Sequence, residues 1–512
     1  MLPVTKQLTR VGLCAGLLLA ATGCKDFLKE DNRSTLTQGS YFTTAAQAQS
    51  AVDGLYNRLR ILNTDNGYGE SNWIGLELMA LHATTLGQSF NNNQLLNQSI
   101  DPANPYFSSM WNNAYNGIGA ANLAITRIPD ISMDETQKKS LLGQAYFIRA
   151  FLYYHLVRLY GDVPLLTTPI DASSADLYPT RSPQAEVYDL IIKDLQQAEL
   201  AGLPAVDRTG RISQGAVKSL LASVYLTTAG YPLQVKANYQ KAADKAAEVI
   251  DAGNYPLFVR KTIKTNADSA VYINLHNNAS KNQGELILQA QYAFGIATNA
   301  ISALVIPYFV GISKYNDEFG ALIPTPGFYA TYEPGDLRAK EQQFYFSKYP
   351  SIKDPKVTVD FKTQALYKYF QVESATGNGV GDENWTLLRM PEVMLIYAEA
   401  SNEASGSPSP KAYAQINAIR SRAMLPTLTG LNQENFRTAV WKERYHELAY
   451  ENKAYFDIQR TRKAYNVAAN NFVDVVGFKG EVGPAFQEKY LLWALPSAEV
   501  NNNKKLTQNP GW

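Results

Sequence analysis

The sequence predicts a mainly α-helical protein, a tetratricopeptide-like helical scaffold that carries an irregular α/β insertion. Three observations support this fold class. Apolar residues recur at steps of three and four in several long segments, which is the period of an amphipathic helix. These segments are rich in alanine and end at Gly or Pro, as helix pairs in repeat arrays do. The pattern breaks between residues 254 and 385, where one strand-like segment stands among many turn residues.

The size and composition are those of a globular chain. With 512 residues, 46% of them hydrophobic and 18% charged, the chain can bury a large core without disulfide or metal support. Tyrosine is abundant, with 32 residues, and its ring combines an apolar face with a polar hydroxyl. For any single tyrosine, packing in the core remains the more common role.

The first 23 residues have the features of a signal peptide. Lys6 and Arg10 give a positive start, and residues 11–21 form an apolar run that is too short to span a bilayer. Small residues then precede Cys24, whose position resembles the lipobox of bacterial lipoproteins, where the cysteine is lipidated and becomes the new N-terminus. We therefore expect a lipidated Cys24 followed by a polar tether to residue 44. Simple cleavage to a secreted protein without lipid is the alternative.

The mature chain would contain no free thiol and almost no net charge. Cys14 leaves with the signal peptide and Cys24 takes the lipid, so no thiol remains for disulfides, zinc or nucleophilic catalysis. Removal of Lys6 and Arg10 changes 47 basic against 46 acidic residues to 45 against 46, a formal charge of −1. A near-neutral chain lacks the basic footprint of a nucleic-acid-binding protein. We expect no cofactor.

Helical and loop-rich segments alternate along residues 45–512, which we expect to form one domain. The helical scaffold would comprise about 45–62, 107–252 and 386–465, and the variable loop-rich subdomain about 63–106 and 254–385. Helices are predicted at 134–160, 182–202, 213–229, 237–252, from Pro391 onward and at 432–460, and residues 284–294 are strand-like. The clearest helix, 134–160, has one apolar face and stops at Gly161. That face contains Leu141, Ala145, Ile148, Leu152, Leu156 and Leu159.

A search for catalytic or metal-binding residue patterns finds none. The four histidines (His82, His155, His276 and His446) lack ligand-type spacing, and His155 is expected to be a structural hydrogen-bond donor. Steps of four bring three carboxylates to one helix face, near two arginines (Glu443, Glu447 and Glu451 with Arg444 and Arg460). A structural ion-pair network is the better interpretation, because a glycosidase needs two carboxylates about 5–9.5 Å apart across a cleft.

Two glycine-containing segments partly resemble binding motifs. GIGAAN (residues 117–122) lies within a helical pattern rather than after a strand, so tight helix packing explains it better than dinucleotide binding. GNGVGDEN (residues 377–384) places Asp382, Glu383 and Asn384 in a loop but lacks the spacing of a calcium motif. We expect a plain turn there and no metal site.

Several separated segments resemble the SusD/RagB family, and they occur in the family's order over nearly the whole mature chain. AYFIRAFLYYHLVRLYGDVPLL (residues 145–166) resembles the family's most characteristic helix and turn. LLRMPEVMLIYAEASNEA, INAIRSRA and ERYHELAYENKAYFDIQRT resemble its later helices, and YLLWALPSAEVNNNKKLTQNPGW resembles its C-terminus. The sequence departs from the family at Asn452, where Gly is usual, and at Trp493-Ala494, where Pro-Ile is usual. Asn at a Gly position is tolerable because Asn also enters left-handed conformations.

This resemblance implies a SusD-like fold and a function in nutrient uptake. Members of the family are surface lipoproteins of Bacteroidetes that pair with a TonB-dependent, SusC-like outer-membrane barrel and deliver oligosaccharides or, in some branches, peptides to it. The resemblance therefore implies a non-catalytic oligosaccharide-binding protein, anchored by lipid and exposed at the surface of the outer membrane. A peptide-binding protein of the same uptake system is the alternative, and a surface glycoside hydrolase is the less expected one.

Candidate ligand contacts lie in the two loop-rich segments. Sugars present flat CH faces and many hydroxyls, so aromatic rings beside amides or charged groups suit them. The first segment offers Tyr68, Trp73, Phe90, Asn91, Asn92 and Asn93, and the second offers Tyr292, Phe294, Tyr308, Phe309 and Tyr315. For each ring, packing inside the protein is the competing interpretation, and Trp111, beside Tyr115 on a helix, is expected in the core.

Overall fold

The computed structural model describes residues 42–63, 65–67, 70–87, 89–171, 174, 177–259 and 271–512. The predicted signal peptide, Cys24, most of the tether and Tyr68 lie outside the described residues. Within them the chain forms sixteen α-helices and ten short strands, which confirms the mainly α-helical fold class. In the same part of the chain, no helix has both the length and the apolar character needed to cross a membrane.

The helices and strands are numbered in chain order. The helices are α1 (Ala45–Leu55), α2 (Asn72–Leu78), α3 (Phe90–Leu96), α4 (Pro105–Arg127), α5 (Glu135–Tyr160), α6 (Gln184–Glu199), α7 (Gln214–Ala229), α8 (Asn238–Asp251), α9 (Ile301–Val305), α10 (Pro326–Ala330), α11 (Val372–Thr376), α12 (Met390–Ser405), α13 (Pro410–Arg422), α14 (Gln433–Glu447), α15 (Ala454–Thr461) and α16 (Ser497–Asn502). The strands are β1 (Asp65–Gly67), β2 (Glu70–Ser71), β3 (Ala83–Thr84), β4 (Leu286–Ala290), β5 (Ile323–Pro324), β6 (Tyr345–Pro350), β7 (Thr358–Leu366), β8 (Trp385–Arg389), β9 (Lys463–Asn466) and β10 (Asn471–Asp474).

The helical scaffold is a row in which each helix packs on the next. Helix α4 packs on α5, α5 on α6, α6 on α7 and α7 on α8. Helix α8 then packs on α12, although the whole insertion lies between them in the sequence, and α12 contacts α13 and α14. Serial helix pairs of this kind form the curved wall expected of a tetratricopeptide-like array.

Helix α5 confirms the clearest sequence prediction. Asp134 caps its N-terminus by accepting a hydrogen bond from the Gln137 backbone N–H at 2.8 Å, and Gly161 ends it with a φ of +73°. All six residues of the predicted apolar face are buried. Gly117 of α4 packs directly on this helix, since a Cβ there would lie 2.4 Å from Leu152. The GIGAAN segment therefore serves close helix packing, as predicted.

The helix predicted over 45–62 is only partly α-helical. Helix α1 ends at Leu55, and the chain continues as a 3₁₀ helix, Tyr56–Asn63. Tertiary contacts fix this change of pitch: the Tyr56 hydroxyl donates to Gln144 Oε1 at 2.6 Å and accepts from the Ile212 N–H at 3.0 Å. The apolar residues of the 3₁₀ segment remain buried.

The insertion is closed at its base by a strand pair and contains its own small core. Strand β4 pairs with β8 in antiparallel fashion, and β8 leads directly into α12. A second antiparallel pair, β6 with β7, lies within the insertion. The separate core contains Ile306, Ile312, Phe346, Phe361, Ala365, Phe370 and Ala375. The insertion is thus held at one end by the scaffold and supported elsewhere by its own apolar residues.

A buried ion-pair cluster joins this base to α14. Arg389, at the end of β8, donates to Glu447 Oε1 and Glu451 Oε2, both at 2.7 Å. Arg338 donates to Glu443 at 2.6 Å, and Lys368 donates to Glu451. The predicted structural network is confirmed, but the prediction of its arginine partners was wrong.

Arg444 and Arg460 turn away from the three glutamates. Both donate to Asp457, and Arg460 also donates to Glu399. The cations of the cluster come instead from the insertion, from β8 and from α13, where Arg422 donates to Glu447 at 2.5 Å. Local spacing within α14 cannot reveal partners on other elements.

The sequence also singles out four individual residues. His155 Nδ1 donates to the Phe151 carbonyl at 2.9 Å, which confirms its structural role. Asn452 has a φ of +56°, so it adopts the left-handed conformation expected at a Gly position. Trp493 is buried, with its ring centroid 5.2 Å from that of Phe107, and Trp111 is buried as predicted.

Candidate ligand-binding surface

Two loops that are far apart in the sequence meet at one edge of the insertion. Strand β3 pairs with β5, and the chain leaving β3 stays beside the chain entering β5. The backbone N–H groups of Leu86 and Gly87 donate to the Gly320 carbonyl at 2.8 and 3.1 Å, and the Gly320 N–H donates to the Ile306 carbonyl at 2.8 Å. Gly320 has a φ of +54°, and a Cβ there would lie 2.8 Å from Tyr308 N. Only glycine fits this junction without strain.

This junction displays an apolar and largely aromatic patch. Phe309 is 61% exposed and Leu86 is also exposed. The half-buried Tyr308 ring packs edge-on against Phe309, with centroids 4.2 Å apart. Phe90, which is 72% exposed, starts α3 four residues after Leu86. Leu86, Tyr308 and Phe309 meet at this junction, and Phe90 lies on the loop that follows Leu86. We call these four residues the aromatic surface. An exposed apolar patch with a polar border is typical of a binding site.

The polar border is organised by Glu70. Its carboxylate accepts a hydrogen bond from Ser89 Oγ at 2.6 Å and from Asn91 Nδ2 at 3.0 and 2.9 Å. Asn93 Nδ2 donates to the Ser89 carbonyl at 2.8 Å. The asparagines therefore fix the loop that carries Phe90, and the half-buried amide of Asn91 stands beside it. Their predicted contact with a ligand stays a prediction.

Three candidates are buried, which corrects their predicted role. Trp73 has no exposed surface, and its ring lies 5.4 Å from Tyr369 and 5.1 Å from Trp385 between centroids. Asn92 is buried and accepts from the Tyr106 hydroxyl at 2.5 Å. Tyr292 is also buried, with the Arg60 guanidinium 4.9 Å from its ring. In these three cases the competing interpretation, packing, is the correct one.

Phe294 and Tyr315 are exposed on two other loops. Phe294 stands in a tight turn bridged by Ala293 and Ala297, and Tyr315 lies beside Lys314, whose Nζ is 4.9 Å from the ring centroid. The Lys314 N–H donates to the Ala375 carbonyl of α11 at 2.8 Å. The structure thus brings Tyr308 together with Phe309 and Leu86, while Tyr315 borders α11.

Helix α11 forms one wall of a polar cavity of about 260 Å³. Its lining combines amides with aromatic rings: Asn277, Asn278, Gln343 and Gln371 with Tyr272, Tyr367 and Phe370. His276 also lines it, and its Nδ1 lies 2.5 Å from Glu383 Oε1. Burial raises the pKa of Glu383 well above its usual value and lowers the pKa of His276 well below its own. Burial thus disfavours the charged form of both groups.

The segment 377–384 forms a turn whose side chains bond to the protein. Asp382 accepts from Asn278 at 2.7 Å and from Lys281, and Asn384 accepts from the Tyr292 N–H at 2.8 Å. Within the described ranges there is no group of three or more His, Cys, Asp or Glu residues that could hold a metal ion.

Sequence reasoning missed Leu86 and Glu70. Leu86 is a single apolar residue in a polar stretch, and nothing in its neighbours distinguishes it from a core residue. Glu70 acts through residues about twenty positions away. The combination Leu86-Gly87, an apolar residue followed by a turn residue, was the only local signal.

Comparison with known proteins identifies relatives along nearly the whole chain. A sequence model described as the SusD family matches residues 319–512, and a second, described as "Starch-binding associating with outer membrane", matches residues 26–226. SusD-like protein P2 of Formosa agariphila is 29% identical over 97% of this chain and 98% of its own length. The crystal structure of a SusD superfamily protein from Parabacteroides distasonis is 34% identical, with a TM-score of 0.86 over 93% of this chain and 100% of that one.

The fold agrees with these matches over the helical row and the insertion alike. The surface glycan-binding protein A from Bacteroides uniformis, 20% identical, superposes with a TM-score of 0.73 over 91% of this chain and 99% of that one. At that identity the likeness concerns the fold alone. The level of identity with the Parabacteroides protein, sustained over almost the full length of both chains, establishes the relationship: this chain belongs to the SusD family.

Proposed function

We propose that this protein binds a nutrient oligosaccharide at the cell surface without transforming it and delivers it to a TonB-dependent, SusC-like outer-membrane barrel. The observation that carries the proposal is the aromatic surface, in which exposed rings stand beside the amide-lined loop held by Glu70. Aromatic faces cover the CH faces of sugar rings, and amides bond their hydroxyls.

The exposed rings offer enough area to give measurable affinity. A Phe side chain of roughly 200 Å² that is 61% exposed, as Phe309 is, offers roughly 120 Å² for contact. A sugar that covers half of this area removes about 60 Å² from water, which is worth about 1.5 kcal/mol or tenfold in Kd. Two such rings therefore account for about a hundredfold change in Kd, which a binding titration can measure.

The names of relatives support a glycan rather than a peptide as ligand. The Bacteroides uniformis protein is called a surface glycan-binding protein, and the description of the second matching sequence model includes starch binding and association with the outer membrane. Anchoring by a lipid on Cys24 fits that association, because the tether to residue 44 would leave the folded domain free to move over a barrel.

The test of binding is calorimetric titration of residues 25–512 with a panel of oligosaccharides and peptides, with product analysis on the same samples. We expect saturable binding of one glycan class and no turnover. The double change Phe90→Ala and Phe309→Ala should weaken that binding by about a hundredfold. Tyr178→Ala is the matched control, because Tyr178 is also exposed but lies in the scaffold rather than on the aromatic surface.

Each other outcome favours a different function. Binding of peptides alone would support the peptide-binding alternative, and release of shorter sugars would support a hydrolase. If the double variant still binds glycan with unchanged affinity, the aromatic surface is not the binding site. The polar cavity beside α11 would then be the next candidate.

Delivery to a transporter has its own test. The native lipoprotein, extracted from outer membranes in mild detergent, should co-purify with a barrel protein of the TonB-dependent type. A Cys24→Ala form should no longer fractionate with the outer membrane. Purification of the native protein without any barrel would contradict the proposed partner.

A further inference from the structure

A second cavity, of about 120 Å³, lies in the helical scaffold away from the aromatic surface. It opens between α5, α6, α7 and α15, beside residues 491–492. Arg158, Arg460 and Arg462 line it, and none of its lining residues is acidic. We call it the basic cavity. This differs from the fully buried cluster around Arg389, where arginines are paired with carboxylates.

Arg158 is held in a fixed position without a carboxylate partner. Its Cζ lies 3.6 Å from the centroid of the Tyr154 ring and 3.5 Å from that of Phe456, so the two rings cover opposite faces of the guanidinium. Its Nε donates to the Tyr154 carbonyl at 2.8 Å. Among the described residues no carboxylate bonds to it. Only the terminal nitrogens, at the edge of the guanidinium plane, remain for a ligand.

Arg462 is the second arginine of the basic cavity for which the described residues provide no carboxylate partner. It follows the last turn of α15 with a φ of +59°, an unfavourable conformation for a residue with a side chain. Its guanidinium Cζ lies 5.3 Å from the Tyr231 ring centroid and is only partly buried. Arg460 is different, because its nitrogens bond to Glu399 and Asp457.

The two carboxylates that act on Arg158 from nearby, Asp457 and Glu392, are already paired with other cations. Asp457 accepts from Arg444 and Arg460, and Glu392 lies 2.8 Å from Lys453. Burial lowers the pKa of both Arg158 and Arg462, although each remains charged near neutral pH. The basic cavity therefore contains two arginines that form no ion pair with a carboxylate among the described residues, and Glu488, the carboxylate that acts on Arg462 from nearby, does not line the cavity.

The other lining side chains suit an anion of small size. Gln184, Tyr188 and Thr227 add polar groups to the walls, and Leu491 and Leu492 add apolar ones. A volume of about 120 Å³ is several times the space needed for one water, about 10–15 Å³. The basic cavity can therefore hold a group with three or four oxygen atoms, but it is too small for an oligosaccharide.

We propose that the basic cavity binds an anionic group with two or more acceptor oxygens, a carboxylate, sulfate or phosphate, through the guanidinium edges of Arg158 and Arg462. Such oxygens match the forked donors of arginine. The anion can be a free ion or a substituent of a sugar acid or sulfated sugar. This inference does not depend on the proposed function, because the basic cavity shares no residue with the aromatic surface.

The test is titration of residues 25–512 with sodium sulfate, sodium phosphate and sodium glucuronate, each at constant ionic strength. We expect saturable one-to-one binding of at least one probe. Arg462→Asn should weaken it about tenfold or more, because a hydrogen-bonded charge is lost. Asn keeps the left-handed conformation at this position, so the variant should fold. Arg127→Gln, at an exposed arginine of α4 outside the basic cavity, is the matched control.

The results of this titration distinguish an inorganic anion from a sugar acid as the ligand. Tighter binding of sulfate or phosphate identifies a free inorganic anion, and tighter binding of glucuronate identifies a sugar acid. No saturation by any of the three probes, or equal binding by Arg462→Asn and the unchanged protein, overturns the proposal. Neutral glycan titrated into the same Arg462→Asn sample should bind normally, so a failure of this site and a failure of the aromatic surface are distinguishable.

Discussion

Replacing Arg389 with Met should be among the most destabilising single changes in this protein. Arg389 is buried at the end of β8 and donates to Glu447 and Glu451, to the latter through two nitrogens at 2.7 and 2.9 Å. Met keeps much of the side-chain volume but leaves the carboxylates with one cation fewer. Breaking a buried ion pair by removing one partner costs about 3–5 kcal/mol.

The remaining cations of the cluster compensate in part, so we expect the loss in the free energy of unfolding to lie near the lower end of that range. Glu447 would keep Arg422 at 2.5 Å and Arg338 at 3.1 Å, and Glu451 would keep Lys368. We therefore expect Arg389→Met to lower the free energy of unfolding by about 3 kcal/mol. The assay is equilibrium urea unfolding of residues 25–512, followed by tryptophan fluorescence, because Trp73 and Trp385 are buried near this base.

A matched control separates burial from charge. Arg211 bonds Asp53 at 2.6 Å, but the two side chains are 36% and 46% exposed, so Arg211→Met should cost only about 0–1 kcal/mol. If Arg389→Met and Arg211→Met lower the free energy of unfolding equally, the buried cluster does not stabilise the base of the insertion. A midpoint that falls with an unchanged denaturant slope would support the argument most directly.

Three further predictions concern single positions. Burial alone would raise the pKa of Glu451, but Arg389 and Lys368 hold it at about 2. Glu451→Gln should therefore lower the free energy of unfolding by its full amount above about pH 4.5, and by less as the pH falls toward 2. Urea unfolding midpoints of both proteins over this pH range test the sign. Asn452→Ala should be less stable than Asn452→Gly by about 1–2 kcal/mol in the same assay, because φ is +56° there. Gly320→Ala should weaken glycan binding in calorimetry and expose the Leu86 loop to proteolysis, since its Cβ would lie 2.8 Å from Tyr308 N.

The helices could be predicted because their signals are local. Helix α5 begins at a capping Asp134 and ends at Gly161, and both residues act within one turn of the helix they delimit. Its apolar positions repeat over about five turns, from Leu141 to Leu159, so the burial of that face follows from the sequence alone. The same holds for Asn452, whose left-handed conformation depends on the residue type.

The contacts of the insertion could not be predicted because its partners are distant in sequence. Trp73 and Phe309 are both aromatic residues in loop-rich segments, yet one is packed against Tyr369 and Trp385 and the other is 61% exposed. Nothing local distinguishes them. Arg338 likewise finds Glu443 across 105 positions, while the helical spacing suggested Arg444. The sequence predicts the kind of site, and the packing shows which of the candidate residues are exposed.

The way the insertion is supported explains how exposed rings can persist on a stable protein. Phe309 contributes little to any core, so the loop that carries it must be held by other means. The backbone bonds of Gly320 to Leu86 and Ile306 supply this support, and they require only peptide groups and one glycine. Side chains on these loops can therefore change with little effect on folding, whereas the ion pairs at the base cannot. The proposed ligand-binding surface and the ion pairs that stabilise the base of the insertion are thus separate parts of the structure.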